Sequence, residues 1–185
     1  MNIKDLASST PTILMHLVWR HELIPDDPQR ICRLVEATGF FSQEEIDIAG
    51  ELAHERLLHG QASGYHFSLA EADGHLLGYT CHGPIPGSLW SHDLYWIAVH
   101  PDCQGQGLGS QLLIQCEQQI TEVGGARLYA DTSSRPQYRP SRVFYEHSGF
   151  DRAAKLPDFY GPGDGKVIFC KILEKRTETT QKQQD

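Results

Sequence analysis

The residues best suited to chemistry stand together in Gln104-Gly105-Gln106-Gly107-Leu108-Gly109-Ser110, a glycine-rich turn between two apolar runs. The free N–H groups at a helix start, with the positive end of its dipole, form an anion site. Glycines let a phosphate approach the backbone where a side chain would obstruct it. The turn is therefore expected to cradle phosphate on the backbone from Gln104 to Ser110. Spacing narrows the ligand. A dinucleotide fingerprint begun at Gly105 needs glycine at position 110, where Ser110 stands, and a Walker A loop needs a lysine that this turn lacks. What remains is Gln-x-x-Gly-x-Gly, formed by Gln104, Gly107 and Gly109 after Ala98-Val99-His100-Pro101.

Other chemically tempting residues are weaker. Cys103 adjoins the turn, but the sequence marks no histidine and carboxylate as its partners, so a nucleophilic cysteine is not expected. No His-Glu-x-x-His and no clustered Cys/His spacing occurs, and no metal is expected. Trp90, Tyr95 and Trp96 read as strand packing.

The turn must be held by a strand before it and a helix after it. Leu89 to His100 is dense in Trp, Tyr, Leu, Ile and Val and reads as the strand. Ser110 to Val123 reads as the helix, with Leu112, Leu113, Cys116 and Ile120 on its buried side and Gly124-Gly125 at its end. Upstream, Thr12 to Arg20 fits a buried strand or a helix segment equally and is read as a strand, and a helix runs from Pro28 through Ile31, Leu34 and Val35 to Gly39. Ser42 and Glu45 have capping-box spacing, and Ile46, Ala49, Leu52, Ala53 and Leu57 continue that helix towards Gly60. Tyr65–Ala70 and His75–Thr80 flank Asp73-Gly74 as an antiparallel hairpin. Downstream come a strand at Arg127–Ala130, a short helix at Ser141–Ser148 closed by Gly149, and a strand at Lys166–Leu173.

Composition limits the classes of function. The chain has 185 residues, 39% of them hydrophobic, and no apolar run near the roughly 20 residues that cross a bilayer. A membrane role is not expected. The net charge of −8 and the scattered Lys and Arg give no basic stripe for nucleic acid. Five cysteines, odd in number and never in Cys-x-x-Cys spacing, suit a reducing compartment. With no basic start, apolar core and cleavage site at the N-terminus, the chain is expected in the cytoplasm.

The turn, the Ile97-Ala98-Val99-His100-Pro101 before it and Val143-Phe-Tyr-Glu-His-Ser-Gly-Phe150 downstream resemble the GNAT superfamily of N-acetyltransferases. Close resemblance runs from Asp93 to Phe150, and the order of elements agrees best over 65–173. Length and composition give the expectation of one domain over 1–173 and a polar, disordered tail over 174–185. The implied fold is α/β: a mixed, largely antiparallel central sheet flanked by helices, with strands splayed near Val99 to form the acyl-CoA cleft.

The resemblance also implies roles. Acetyl-CoA would be the acyl donor, its pyrophosphate on Gln104–Ser110 and its pantetheine arm beside Ile97, Ala98 and Val99, with the Val99 amide facing the thioester oxygen. A donor there stabilises the charge that grows on that oxygen during acyl transfer. Tyr145 holds the family's tyrosine position and would protonate the departing thiolate. Packing is its other reading. An acceptor ammonium, near pKa 10.4 for a lysine-type amine, must lose a proton before it attacks. Asp93 stands six residues before Val99, where histone-acetylating members carry glutamate, and is the candidate base. His92 is an alternative. The family's asparagine after the fifth strand is missing from Thr132–Pro140, with Ser133 or Ser134 as candidate replacements, and Asp158–Lys166 is a candidate rim for the acceptor pocket. The expected activity is N-acetylation of a primary amine on a small molecule or amino acid through a ternary complex. A non-catalytic acyl-CoA sensor, a nucleotide-binding regulatory domain and a homodimer are left open.

Overall fold

The structure, a computed structural model, describes residues 17–173. Its elements are β1 (Val18–Arg20), α1 (Asp27–Thr38), α2 (Gln43–His59), β2 (His66–Ala72), β3 (His75–Pro84), β4 (Ser91–Val99), α3 (Leu108–Glu122), β5 (Arg127–Ser133), α4 (Arg139–His147), β6 (Asp151–Gly161) and β7 (Asp164–Ile172). They build one seven-stranded sheet in the order β1-β2-β3-β4-β5-β7-β6. Every neighbouring pair is antiparallel except β4 and β5. The α/β expectation holds, with a mixed and largely antiparallel sheet between helices.

Local chemistry accounts for the best-marked elements. Ser42 accepts from the Glu45 amide while the Glu45 carboxylate accepts from the Ser42 amide, so α2 starts on a closed capping box. Gly39 ends α1 at φ 71°, a left-handed position that a Cβ would disfavour. Asp73 and Gly74 turn the β2–β3 hairpin at φ 49° and 77°, the double positive φ of a tight primed turn.

Burial then assigns the helices to faces. Ile31, Leu34 and Val35 of α1 and Ile46, Ala49 and Ala53 of α2 cover one face of the sheet over Phe67, Leu69, Tyr79 and Ala98. On the other face, Leu113, Cys116 and Ile120 of α3 and Tyr145 of α4 pack over Leu94, Leu128, Ala130 and Phe169. Leu112 of α3 lies over Ala70, Ala72 and Leu77. Leu112 and Ile120 are fully buried, and such a side chain contributes about 1.5–3 kcal/mol through its removal from water. At the start of α1, the fully buried Asp27 accepts from Arg20 at 2.5 Å and from Arg30 at 3.0 Å, so no charge is left unpaired there.

Several boundaries differ from expectation. β6 was not foreseen, and Asp158–Lys166, expected as a loop, is the end of β6, a turn and the start of β7. The strand carries no apolar alternation because ten of its eleven residues are exposed. Pairing with β7 holds it, and Pro157 is tolerated because β6 is an edge strand. α4 begins at Arg139, with Pro140 in the first turn where its missing N–H costs nothing. α3 begins at Leu108, so Gly109 belongs to the helix and Gly107 caps it. β4 begins at Ser91, and Leu89 is exposed. The part of the expected Thr12–Arg20 strand over 12–16, and the tail at 174–185, lie outside the described residues.

Candidate active site

The site opens where β4 and β5 part. These two strands pair only at Ser91↔Arg127, His92↔Leu128 and Asp93↔Tyr129. Beyond Asp93 the remaining length of β4 bonds only to β3, so a cleft opens on its other side. The register across β3 is Gly78↔Val99, Tyr79↔Ala98 and Thr80↔Ile97, and the His100 amide donates to the Leu77 carbonyl at 2.8 Å. Hydrogen-bonded and non-bonded pairs alternate along an antiparallel ladder. Counting back from His100, the Ala98 backbone is turned to β3, and the N–H and C=O groups of Ile97 and Val99 are turned to the cleft. Ala98, expected beside the pantetheine, is thus facing away, with its methyl buried against α1 and α2.

The turn after β4 is an open cradle. Gly105 at φ 72° and Gly107 at φ 86° take left-handed conformations, and a Cβ built on either meets nothing within 4 Å. That emptiness, at the start of a 15-residue helix, fits a phosphate group. The two glutamines brace the turn: Gln104 Nε2 donates to the Val99 carbonyl at 3.0 Å, and Gln106 Nε2 to the Asp102 carbonyl at 2.9 Å. The Gln104 backbone amide, expected on the pyrophosphate, donates instead to the Pro101 carbonyl at 3.2 Å, which leaves the amides of Gln106 and Ser110 to face an anion. Leu108 is buried in the core, so its side chain is structural. Gly109 differs from its neighbours, since a Cβ there would meet the Phe144 ring at 3.2 Å.

Tyr145 approaches the gap from the face that carries α3. It is 7% exposed and packs against Phe150 at 5.4 Å and Phe169 at 5.3 Å between ring centroids. Burial, and then the charge of Asp131, push its phenol well above the ordinary tyrosine range, so it holds its proton. Asp93 lies on the opposite face at the last paired position of β4. Desolvation raises its carboxyl above the usual range, Asp131 adds to the rise and Lys166 opposes it. His92 faces the other way, buried near the end of α3, where its ring would lie 3.0 Å from a Cβ on Gly125. Burial lowers its pKa, and it does not share the gap with Asp93.

The sequence did not reveal the neighbours of Asp93. Asp131 on β5 pairs with Lys166, whose Nζ lies 5.0 Å above the Phe159 ring, and Tyr160 donates to Asp131 Oδ1 at 3.5 Å. These residues meet through the β5–β7 register and the β6–β7 hairpin, and no local spacing announces either. Tyr95 is the extra residue of a β-bulge, because the register passes from His82↔Leu94 to Cys81↔Trp96. Its ring lies edge-on to Tyr65 at 5.6 Å and so lines this side of the sheet. Cys103 is buried, and burial followed by Asp102 pushes its thiol up, against the demands of a nucleophile. Ser133 donates its proton to Asp164, whereas Ser134 accepts from the Gly165 amide at 2.8 Å and keeps its own O–H to donate, so of the two candidate replacements for the missing asparagine only Ser134 has a donor left.

Known proteins share this fold. The sequence model of the acetyltransferase (GNAT) family matches residues 29–150. The chain belongs to that family. A crystal structure of a protein from Desulfovibrio desulfuricans assigned as a GNAT acetyltransferase shares 44% identity, covers 85% of this chain and 99% of its own, and superposes with a TM-score of 0.84. An aminoglycoside 6′-N-acetyltransferase complexed with coenzyme A shares the fold at 15% identity, TM-score 0.69, over 87% of this chain and 99% of its own. The Salmonella typhimurium protein yncA, solved with acetyl-CoA, does so at 19% identity, TM-score 0.67, over 88% and 97%. Among curated proteins no sequence matches the chain.

Proposed function

We propose that this chain transfers an acetyl group from acetyl-CoA to a primary amine of a small molecule, in a ternary complex, in the cytoplasm. The observation that carries the reading is the open glycine cradle at Gly105 and Gly107, placed at the mouth of the gap between β4 and β5. Amides from Gly105 to Ser110 hold the pyrophosphate, and the cleft-facing backbone of Ile97 and the Val99 amide pair with the pantetheine arm. The five free cysteines agree with a reducing compartment.

In the transfer, Asp93 accepts a proton from the acceptor ammonium, directly or through water. The freed nitrogen attacks the thioester carbon, a carbon–nitrogen bond forms and the carbon–sulfur bond breaks. Tyr145 gives its proton to the departing sulfur. The oxyanion donor must lie near the base for one amine to reach both. Counted on the β3 register, because the bulge at Tyr95 shortens β4, Val99 is roughly 17 Å from Asp93 along the strand, whereas Ile97 is roughly 10 Å away. The Ile97 amide has the same orientation, so we assign the oxyanion contact to Ile97 in place of Val99.

Calorimetric titration with acetyl-CoA tests the cradle. Gly107→Asp keeps a residue type that tolerates left-handed φ and can cap a helix, but adds a carboxylate where the phosphate sits. Loss of binding in a folded variant is expected, by at least about a hundredfold, or roughly 2.8 kcal/mol. Unchanged affinity would remove the assignment of the loop.

A further inference from the structure

The Asp131 side chain already holds an alkylammonium ion, and it is the chain's own. Lys166 Nζ pairs with its carboxylate and sits over the face of the Phe159 ring at 5.0 Å, while the Tyr160 phenol donates to the same carboxylate at 3.5 Å. A carboxylate beside an aromatic face is a receptor for a primary ammonium, since both the charge and the ring quadrupole attract it. The pair is within reach of a ligand, because Asp131 is 42% and Lys166 21% exposed. Asp131 stands two residues past Tyr129, which is paired with Asp93, so the two carboxylates are separated by roughly 7 Å along the strand and lie on the same face.

The local charge balance decides what fits. Asp93 and Asp131 face the gap against one cation, Lys166. Asp164, the nearby acid of β7, is closed by Arg135 at 3.0 Å and by the Ser133 hydroxyl. One negative charge is left over. An α-amino acid would bring its carboxylate against Asp93 and Asp131, with Lys166 already engaged. A second ammonium would meet the opposite situation.

Resting on the acetyl-transfer reading above, we infer that the acceptor is a diamine-type dication. One ammonium binds Asp131 in the place that Lys166 now fills, and the other lies against Asp93. Asp131, Phe159 and Tyr160 then set specificity, and Lys166 is a displaceable stand-in for substrate.

Calorimetry on enzyme saturated with CoA reads this without turnover, using diaminobutane, butylamine and alanine as probes. Diaminobutane is expected to bind at least about tenfold tighter than butylamine, a difference of roughly 1.4 kcal/mol, with alanine weakest. Asp131→Asn should erase the diamine advantage and leave the acetyl-CoA affinity unchanged. Lys166→Met should tighten diamine binding by removing the internal competitor. Equal binding of the two amines, preferential binding of alanine, no binding of any probe, or an advantage that survives Asp131→Asn would each overturn the inference. In those cases an intact acetyl-CoA titration, and acetylation of some other amine, would leave the acetyl-transfer reading standing. Loss of acetyl-CoA binding itself in the wild type would overturn both.

Discussion

The ring of Phe144 lies 3.2 Å from the position a Cβ on Gly109 would take, so the helix that carries Tyr145 rests against the first turn of the helix above the glycine cradle. Cofactor loop and candidate acid are thus mechanically joined. Gly109→Ala adds one methyl at that contact while improving helix propensity by about 0.8–1 kcal/mol. Stability should therefore hold or rise. Turnover should fall by about tenfold as α4 shifts, because displacements well under 1 Å already cost rate in a positioned site. Steady-state kinetics and thermal unfolding of the same variant check both halves, and Phe144→Leu in that background should restore part of the rate.

Tyr145→Phe separates the two readings of that residue. The ring stays packed between Phe150 and Phe169, so stability should change little. Turnover with a good amine should drop by at least about tenfold at constant acetyl-CoA affinity. Burial raises the phenol, so the loss of rate at high pH should begin above the ordinary tyrosine range in the wild type and vanish in the variant. Pre-steady-state release of CoA, followed across pH, measures this. A wild-type rate and profile would make Tyr145 a packing residue.

The acid limb of the kcat/KM profile should report Asp93. A base works deprotonated, so rate falls as pH drops through its pKa. That pKa lies above the usual aspartate range through desolvation and the nearby Asp131, with Lys166 acting in the other direction. Removing the Asp131 charge with Asp131→Asn should move the limb to lower pH, and Lys166→Met should move it higher. Asp93→Asn should abolish the limb together with most of the activity. A limb that stays put in both neighbour variants would remove Asp93 as the base.

Much of this was legible in the sequence, for reasons particular to each element. The cradle could be read because left-handed glycines and a helix start leave a local signature, and α2 because Ser42 and Glu45 close a capping box. The acceptor side could not. Asp131, Lys166, Phe159 and Tyr160 come together through strand register and an edge strand with no apolar alternation. The outward turn of Ile97 and Val99, and the inward turn of Ala98, likewise depend on how β3 and β4 align.

The same register buries a group of histidines, whose protonation links pH to stability. His66 and His82 stack at 5.2 Å and His82 lies 5.7 Å from His92, while His21 reaches the cluster through Gln119. Burial lowers the pKa of His66, His82 and His92, to about 3 for His82, helped there by the neighbouring histidines and opposed by the Gln119 hydrogen bond. In the unfolded chain they titrate near 6.5, so below that pH the unfolded state binds more protons and is favoured. The stability these neutral rings permit is complete above about pH 6.5 and is lost as pH falls towards the folded values. Urea unfolding at pH 5 should show a loss of about 2 kcal/mol from His82 alone relative to pH 7.5, and His82→Gln should flatten that dependence.

Acetyl transfer itself is the most direct measurement. Purified protein, acetyl-CoA and diaminobutane are mixed, free CoA thiol is followed with time, and the product is identified by mass spectrometry. The account predicts amine-dependent thiol release matched one for one by an N-acetylated amine, lost in Gly107→Asp and strongly reduced in Asp93→Asn. Tight acetyl-CoA binding with no thiol release beyond background, for diamines, monoamines and amino acids alike, would contradict it and leave the chain as a binder of acyl-CoA.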